Sequence, residues 1–503
     1  MKLDLWRERL GHHIDCCPDD LIRGQGSAES TSEQKVLRQN RSMTQSSRPD
    51  QSASVNLPGL PAGAADPCVH CGFCLPTCAS YRVLASEMDS PRGRIHALRA
   101  IEAGELELDA SVASHFETCL GCFACVSACP SGVRYDQLIE HTRPKLIHAG
   151  HRSPWEVAFR RLLLQVLPYP SRLRALLQPL RIYAGTPVQA LARRTGLTRL
   201  FGPQIEAMER LLPPLAADSY SDHLPQLNPA TGERRGRVAL LLGCVQRCFD
   251  PAVSRATVAV LQANGFEVVL PPDQGCCGAV SHHQGELELT RQLASDLVRS
   301  FNAIEGDVDA VLVAASGCGH TMKAYEELLM GEALFRSPVL DVHEFLAERG
   351  LSEPFRRRLQ PLGITVAFHD ACHMIHGQGI QAQPRELLHN IPALQLREAT
   401  EAGVCCGSAG IYNLVQPQEA AELGRIKADD LSSTGADLVA SANIGCTLQL
   451  RQHLGARASV HHPMELLAAS AGLHPLPGQQ QRAGITEIAR KGEDRQLLQP
   501  PPA

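Results

Sequence analysis

The sequence has no surplus of positive charge: 48 Lys and Arg stand against 53 Asp and Glu in 503 residues, a formal net charge of −5. A nucleic-acid-binding domain carries a strongly basic footprint, so that class of partner is excluded. No apolar run approaches the roughly 18 residues that a membrane-spanning helix requires. The opening stretch, Met1 to His13, carries charges every few positions and has no apolar core of a signal peptide, so the chain is expected to be soluble, cytoplasmic and not exported. Aromatic residues are scarce, at 4%. There is no glycine-rich phosphate loop of the dinucleotide type and no nucleophile elbow. Flavin or nicotinamide chemistry, where it is needed, must then come from another chain.

Cysteine is the residue present in force. There are nineteen, eight between Cys68 and Cys129 and nine between Cys244 and Cys446, with only Cys16 and Cys17 outside those blocks. That density is below the level of short secreted disulfide scaffolds, and a chain without an export signal keeps its thiols reduced. Metal ligation or redox chemistry is the expectation that remains. Residues 1–57 are rich in Ser, Gln, Arg, Asp and Glu and are expected to be a disordered extension. His12, His13, Cys16 and Cys17 fall in that stretch and are read as unliganded, and Met43 is an alternative start.

The first block, 58–140, is small enough to need metal to fold. It contains Cys68-x2-Cys71-x2-Cys74-x3-Cys78 and then Cys119-x2-Cys122-x2-Cys125-x3-Cys129-Pro130, the bacterial ferredoxin run written twice. Three closely spaced thiolates wrap one cubane, and the fourth cysteine of each run serves the other. Cys68, Cys71, Cys74 and Cys129 are therefore assigned to one [4Fe–4S] cluster, and Cys119, Cys122, Cys125 and Cys78 to a second. Two zinc sites are the alternative, but zinc motifs space their ligands as separated pairs. One departure is small: Ala79 stands where the second run has Pro130. Cubanes tied by four thiolates have no open position, so this block is expected to transfer single electrons rather than to act on a substrate.

Residues 141–232 read as helices broken by proline. Trp155, Phe159, Leu162, Leu163, Val166 and Leu167 recur at helical spacing and predict one apolar face. From His141 to Arg210 there are 12 Lys and Arg against 3 Glu. Such a segment can lie on an anionic membrane, dock an acidic partner, or simply connect with a solvated basic face.

From Arg237 onward the chain repeats itself. In the first half, 233–361, a buried strand runs from Val238 into Cys244, a second lies near Glu267 to Leu270, Cys276-Cys277-Gly278 follows, and another strand from Ala310 ends near Cys318. In the second half, 362–475, Ile364 leads to Cys372, Cys405-Cys406-Gly407 follows, and Asp437 leads to Cys446. The intervals are 31 and 40 residues in the first half and 32 and 39 in the second. Strands alternating with helices predict two similar α/β domains with parallel sheets, each gathering its own cysteines at the carboxyl ends of its strands. Beyond 476 a flexible tail is expected. The fold expected for the whole is thus α+β and α/β: a two-cluster ferredoxin-like domain, a helical connector and two Cys-Cys-Gly halves.

Cys244, Cys276, Cys277 and Cys318, with Cys372, Cys405, Cys406 and Cys446, are candidate ligands for further metal or iron–sulfur sites. A buried turn that binds nothing is the alternative. Cys248 is a fifth thiol in the first half, with His376 at the same offset in the second. His282, His283, His320, His369, His373 and His376 cluster near these motifs as ligands, proton donors or partners of backbone groups.

The stretches Cys68 to Cys74, Ser90-Pro-Arg-Gly-Arg94 and Thr118 to Arg134, together with His369 to Cys372, His376 to Gln378 and Cys405 to Gly410, resemble the iron–sulfur subunit of glycolate oxidase. The resemblance runs from about residue 60 to 470. It implies a complex in which FAD-binding subunits oxidise glycolate to glyoxylate. This chain would pass the electrons toward a membrane acceptor such as a quinone, sitting peripherally on the inner face of the cytoplasmic membrane. Iron–sulfur subunits of lactate and glycerol-3-phosphate dehydrogenases have similar parts, as does heterodisulfide reductase, which implies an alternative thiol or disulfide reductase acting at the Cys-Cys-Gly sites. In the latter family the last cysteine of each repeat is followed by another after two residues. Thr321 and Gln449 occupy those positions here, which weighs against that activity.

Overall fold

The computed structural model describes residues 63–147, 152–215, 217–332 and 334–476. The expectations for 1–57, with His12, His13, Cys16, Cys17 and Met43, and for the tail after 476 lie outside the described residues.

Nine strands follow in chain order: β1 (Leu227–Asn228), β2 (Gly236–Leu241), β3 (Phe266–Val269), β4 (Ala310–Val313), β5 (Val339–Asp341), β6 (Thr365–His369), β7 (Gln395–Glu398), β8 (Leu438–Ser441) and β9 (Ser459–His461). They form two sheets, ordered β1-β3-β2-β4-β5 and β7-β6-β8-β9. Apart from the two-residue β1, which is antiparallel to β3, every pairing is parallel. Setting β1 aside, the two sheets share one topology, the signature of the repeat seen in the sequence. In each, the chain leaves the first strand toward one side and returns on the other. The switch point therefore lies between β2 and β4, and between β6 and β8, and ligands of open α/β sheets bind outside the strand ends there.

The two halves share one core. A single cluster of buried residues takes in Val238, Leu240 and Val268 from the first sheet, Val366, Phe368 and Leu438 from the second, and Phe345, Leu388 and Leu467 from helices between them. Helix Pro251–Ala263 of the first half packs on Pro463–Ser470 of the second, while Val342–Arg349 of the first packs on Ala382–His389 of the second. This exchange of equivalent helices is the pattern of an approximate two-fold relation, as at an isologous interface. His462 joins the halves directly: its Nε2 donates to Ala314 O at 3.0 Å, and its Nδ1 accepts from Met464 N at 3.1 Å.

Among the described residues, the block from Gly63 to Ile147 contains helices and turns and no strand, so the sheet is confined to the repeat. Helix Pro91–Glu102 starts where Ser90 Oγ accepts from Gly93 N, with Pro91 preset for the first turn. Gly93 is required there, since a Cβ would fall 2.0 Å from Glu87 O. The block docks on the second half: Arg82 pairs with Glu401 at 2.6 Å, and Ala79 and Leu120 pack with Cys405, Tyr412, Ala420 and Leu423.

The connector is helical, including Pro154–Val166, Pro170–Leu177, Pro187–Thr195 and Pro203–Leu211. Its apolar face differs from the expected one. Phe159 and Leu163 are buried, but Trp155 and Leu162 are 61% and 56% exposed, and Leu164 faces inward instead. The basic side chains are also less free than their number implies. Arg152 and Arg160 pair with Glu117, Arg174 with Asp222, Arg193 with Glu209, and Arg199 and Arg210 with Glu206. No described helix is long and apolar enough to cross a membrane.

Candidate metal centres

Two cavities lie inside the first block. One, of about 30 Å³, is lined by Cys68, Cys71, Cys74, Cys125 and Cys129. The other, of about 20 Å³, is lined by Cys78, Cys119, Cys122 and Cys125. Cys129, from the second run, faces the first cavity, and Cys78, from the first run, faces the second. Cys125 belongs to the wall of both. Each run reaches this shape by left-handed turns at His70 and Gly72, and at Gly121 and Phe123. Gly121 is held there by crowding as well, because a Cβ would come 2.7 Å from Arg143 Nη2. That guanidinium donates to Cys119 O at 3.1 Å, while Gly121 N and Tyr135 Oη approach Cys119 Sγ at 3.4 and 3.8 Å. Arg94, on the wall of the second cavity, is fully buried and donates to His115 O, Ser80 Oγ and Thr118 Oγ1 at 2.7, 3.1 and 2.7 Å. A permanent cation there offsets thiolate charge in a medium that screens poorly.

Burial pushes the Cys74 thiol up to about 11, and it raises Cys122 and Cys125 further. Thiols so displaced stay protonated near neutral pH unless a bound cation draws the sulfur into its anionic form. The donor set and its surroundings therefore fit iron–sulfur clusters: clustered soft sulfur, tight turns and donors aimed at sulfur.

A third cavity, of about 140 Å³, opens between the two halves. All eight candidate cysteines of the repeat line it: Cys244, Cys276, Cys277, Cys318, Cys372, Cys405, Cys406 and Cys446. Within each half the cysteines stand together, Cys244 beside Cys276 in the first and Cys406 beside Cys446 in the second, and the two sets face a common space. The two-fold packing turns the carboxyl ends of both sheets toward one space, so both sets share it. Cys244 Sγ lies 3.3 Å from Cys276 Sγ, and this hydrogen bond together with burial holds Cys244 well above the ordinary thiol range. Leu120, from the second ferredoxin-type turn, lines both this cavity and the second one. Cys122 packs beside Cys372 and Cys405.

Cys248 is buried among Leu173, Leu177 and Leu212 of the connector, away from the cavity, and His376 donates to Gly403 O at 3.1 Å and meets Ser127 Oγ at 2.8 Å. The other histidines divide. His320 bonds Gly377 O at 3.2 Å, His282 lies 3.4 Å from Glu140, and His373 donates to Gly121 O at 2.9 Å. His373 also stacks between Phe123 and His283, with ring centroids 5.3 and 4.9 Å away. Arg143 donates to His283 Nδ1 at 2.8 Å, and both His283 and His373 line the large cavity. His369 is buried with neither ring nitrogen hydrogen-bonded.

Two turn-held thiol cavities, joined by a shared wall and leading to a third lined by a duplicated cysteine motif, define an iron–sulfur electron-transfer class of protein. Comparison with known families agrees: residues 64–133 match the 4Fe-4S dicluster domain, and residues 238–323 and 366–451 match the cysteine-rich domain. Residues 155–212 match the linker region of the glycolate oxidase iron-sulfur subunit. A probable glycolate oxidase iron-sulfur subunit of Bacillus subtilis is 33% identical over 424 residues, covering 80% of this chain and 94% of the relative. The glycolate oxidase iron-sulfur subunit of Escherichia coli is 32% identical over 404 residues, 80% of this chain and 92% of the relative. Lactate utilization protein A of an Exiguobacterium species is 25% identical over 244 residues, only 46% of this chain but 94% of that protein. The chain belongs to the family of glycolate oxidase iron–sulfur subunits.

Proposed function

We propose that this chain is the electron-transfer subunit of a flavin-linked 2-hydroxy-acid dehydrogenase complex that oxidises glycolate to glyoxylate on FAD-binding partner subunits. The observation that carries the reading is the sequence of shared walls: Cys125 between the first and second cavities, Leu120 between the second and third. In this reading Cys68, Cys71, Cys74 and Cys129 hold one [4Fe–4S] cluster and Cys119, Cys122, Cys125 and Cys78 a second. Bound clusters supply one-electron redox chemistry there, and the chain supplies everything else. The turns aim the sulfurs, Tyr135 and Gly121 donate toward Cys119 Sγ, Arg94 contributes fixed positive charge, and the packing of Leu120 and Cys122 on the second half excludes water. The repeat cysteines Cys244, Cys276, Cys277, Cys318, Cys372, Cys405, Cys406 and Cys446 hold further metal at the large cavity.

Delivery to a membrane acceptor such as a quinone, with the chain peripheral on the inner face of the cytoplasmic membrane, draws support from the connector, where Ile182, Leu200 and Phe201 are 85%, 80% and 70% exposed. Large apolar side chains left in water are available for such a contact.

The test is an anoxic isolation of the tagged chain with its native partners, followed by EPR after adding glycolate, lactate or glycerol 3-phosphate separately. A reduced-cluster signal with glycolate alone, in a preparation that contains flavin, is the expected result. A signal with lactate alone would move the substrate assignment. No signal with any of them, despite intact iron, would overturn the relay.

A further inference from the structure

The two cysteine-rich halves differ at the end of their leading strands. His369 closes β6 three residues before Cys372, whereas Leu241 closes β2 three residues before Cys244. Leu241 belongs to the apolar core around Cys244, Cys276 and Cys277. His369 is only 2% exposed, and both of its ring nitrogens lack a hydrogen-bond partner. Leaving a buried polar group unsatisfied costs about 1–3 kcal/mol. His282, His320, His373 and His376 all have partners, so this imidazole is the exception among the histidines near the motifs.

What it faces is sulfur. One ring nitrogen of His369, Cys406 Sγ and Cys446 Sγ all lie within 4.8 Å of one another, and all three residues are buried. Nitrogen at about 2.0–2.1 Å and sulfur at about 2.3 Å from a tetrahedral metal stand roughly 3.5 Å apart, so small side-chain rotations bring this triad to bonding distance. Cys406 and Cys446 also line the large cavity, which leaves room for a further ligand or bridging atom on that side. Asn443 Nδ2 donates to Cys446 Sγ at 3.3 Å, fixing the thiol from outside the triad. No equivalent group of His, Cys, Asp and Glu ligand atoms occurs in the first half among the described residues.

We propose that His369 is a nitrogen ligand, with Cys406 and Cys446, of the metal centre in the second cysteine-rich half. The two halves then hold chemically different centres, all-thiolate in the first and imidazole–thiolate in the second. This rests on the reading that the repeat cysteines bind metal. The ligand chemistry suits a thiophilic first-row metal, either an iron of a cluster or zinc. A neutral imidazole ligand adds none of the negative charge that a thiolate at the same position would, which favours a higher reduction potential in an iron–sulfur site. The surroundings act in the same direction. Lys427 is buried beneath the Cys405-Cys406 turn and donates to Glu401 O and Ala402 O, where the matching helix of the first half presents the buried apolar Leu297 and Val298. Asp430, 3.8 Å from Lys427, offsets part of that charge.

The experiment uses the full chain, purified anoxically with its partners, as wild type and as His369→Leu, His369→Cys and Cys446→Ser. Iron and zinc per chain are measured by mass spectrometry, which also tells the two metals apart. Nitrogen ligation is read as strongly coupled ¹⁴N in pulsed EPR for an iron centre, or from X-ray absorption at the zinc edge. The expected result is a nitrogen neighbour in wild type and its loss in His369→Cys with metal retained. His369→Leu should lose the same metal equivalents as Cys446→Ser, with the dicluster signals unchanged in both. Metal lost from Cys446→Ser but kept in His369→Leu, with no nitrogen in wild type, would overturn the ligand assignment and leave metal binding by the repeat standing. No loss in either variant would overturn both. Should His369→Leu fail to fold, the nitrogen signal of wild type against His369→Cys decides alone.

Discussion

Cys122 stands at the junction of two environments: it lines the second ferredoxin-type cavity and packs against Cys372 and Cys405 of the repeat. Cys122→Ser is expected to lower electron transfer from the complex to an external acceptor by at least about 100-fold, since losing a direct ligand costs no less than losing a contact behind one. Reduction of the partner's flavin by substrate should persist. Stopped-flow bleaching of the flavin beside steady-state dye reduction separates the two, and loss of flavin bleaching as well would sink the relay. At this scale the eight ferredoxin-type cysteines are readable from spacing, because the turns that gather them are local: three of each four lie within seven residues. His369 is not readable in that way. Its meaning depends on Cys406 and Cys446, which approach it only when β6 and β8 pair side by side.

Secondary-structure elements carry two further expectations. In the connector, Ile182 and Leu200 project into solvent, so Ile182→Asp with Leu200→Asp should leave the metal content and fold intact. Burying two such side chains is worth about 1.5–3 kcal/mol each, so vesicle co-sedimentation should weaken at least tenfold. Equal sedimentation of variant and wild type would remove these residues as a membrane contact. The second expectation concerns helix Pro463–Ser470, whose N-cap His462 reaches across to Ala314 O while facing His343, Asp341 and Glu465. Burial, reinforced by His343, lowers His462 from the usual 6.5 to about 3. The folded state thus excludes a proton that the unfolded chain binds, and the contribution is full above about pH 6.5 and shrinks as pH falls toward 3. His462→Gln should be less stable at pH 7.5 by about 1–3 kcal/mol, the cost of a broken buried hydrogen bond. That gap should narrow in denaturant melts between pH 6.5 and 4; a gap independent of pH would remove His462 as the titrating group. The apolar strands β2, β4, β6 and β8 announce themselves by composition. β7, with the sequence Gln-Leu-Arg-Glu, and the three-residue β5 and β9 do not, because edge strands are short and half-solvated and take their conformation from the neighbour they pair with.

For the molecule as a whole, the two halves of the repeat share a core beside one of their own each, and the cavity between them belongs to both. Cys277→Ser combined with Cys406→Ser removes one thiol from each side. Iron or zinc content should fall while the two dicluster EPR signals persist, as metal analysis beside EPR would show. Unchanged metal and unchanged activity would make the repeat a docking platform instead. A separate apolar cluster on the second half explains the observed faces of the connector helix. Phe159 and Leu163 pack with Ile411 and Leu414 of the second half, and a partner surface chosen by tertiary packing decides which apolar residues turn inward.

Composition and spacing alone determined the class: a cysteine-rich chain with two ferredoxin-type runs and a duplicated α/β motif ending in thiols. Those features depend on contacts a few residues apart or on the period of a strand, so they survive in the linear order. The tertiary structure decided three further things: that eight thiols from two halves face one cavity, that Leu120 and Cys125 stand between successive cavities, and that an unpartnered imidazole meets two of the thiols. Each of these joins residues separated by tens to hundreds of positions. The first is set by how two sheets turn their carboxyl ends toward each other, the second by how the turns of the strandless block pack, and the third by strand pairing within one sheet, relations that no local pattern encodes.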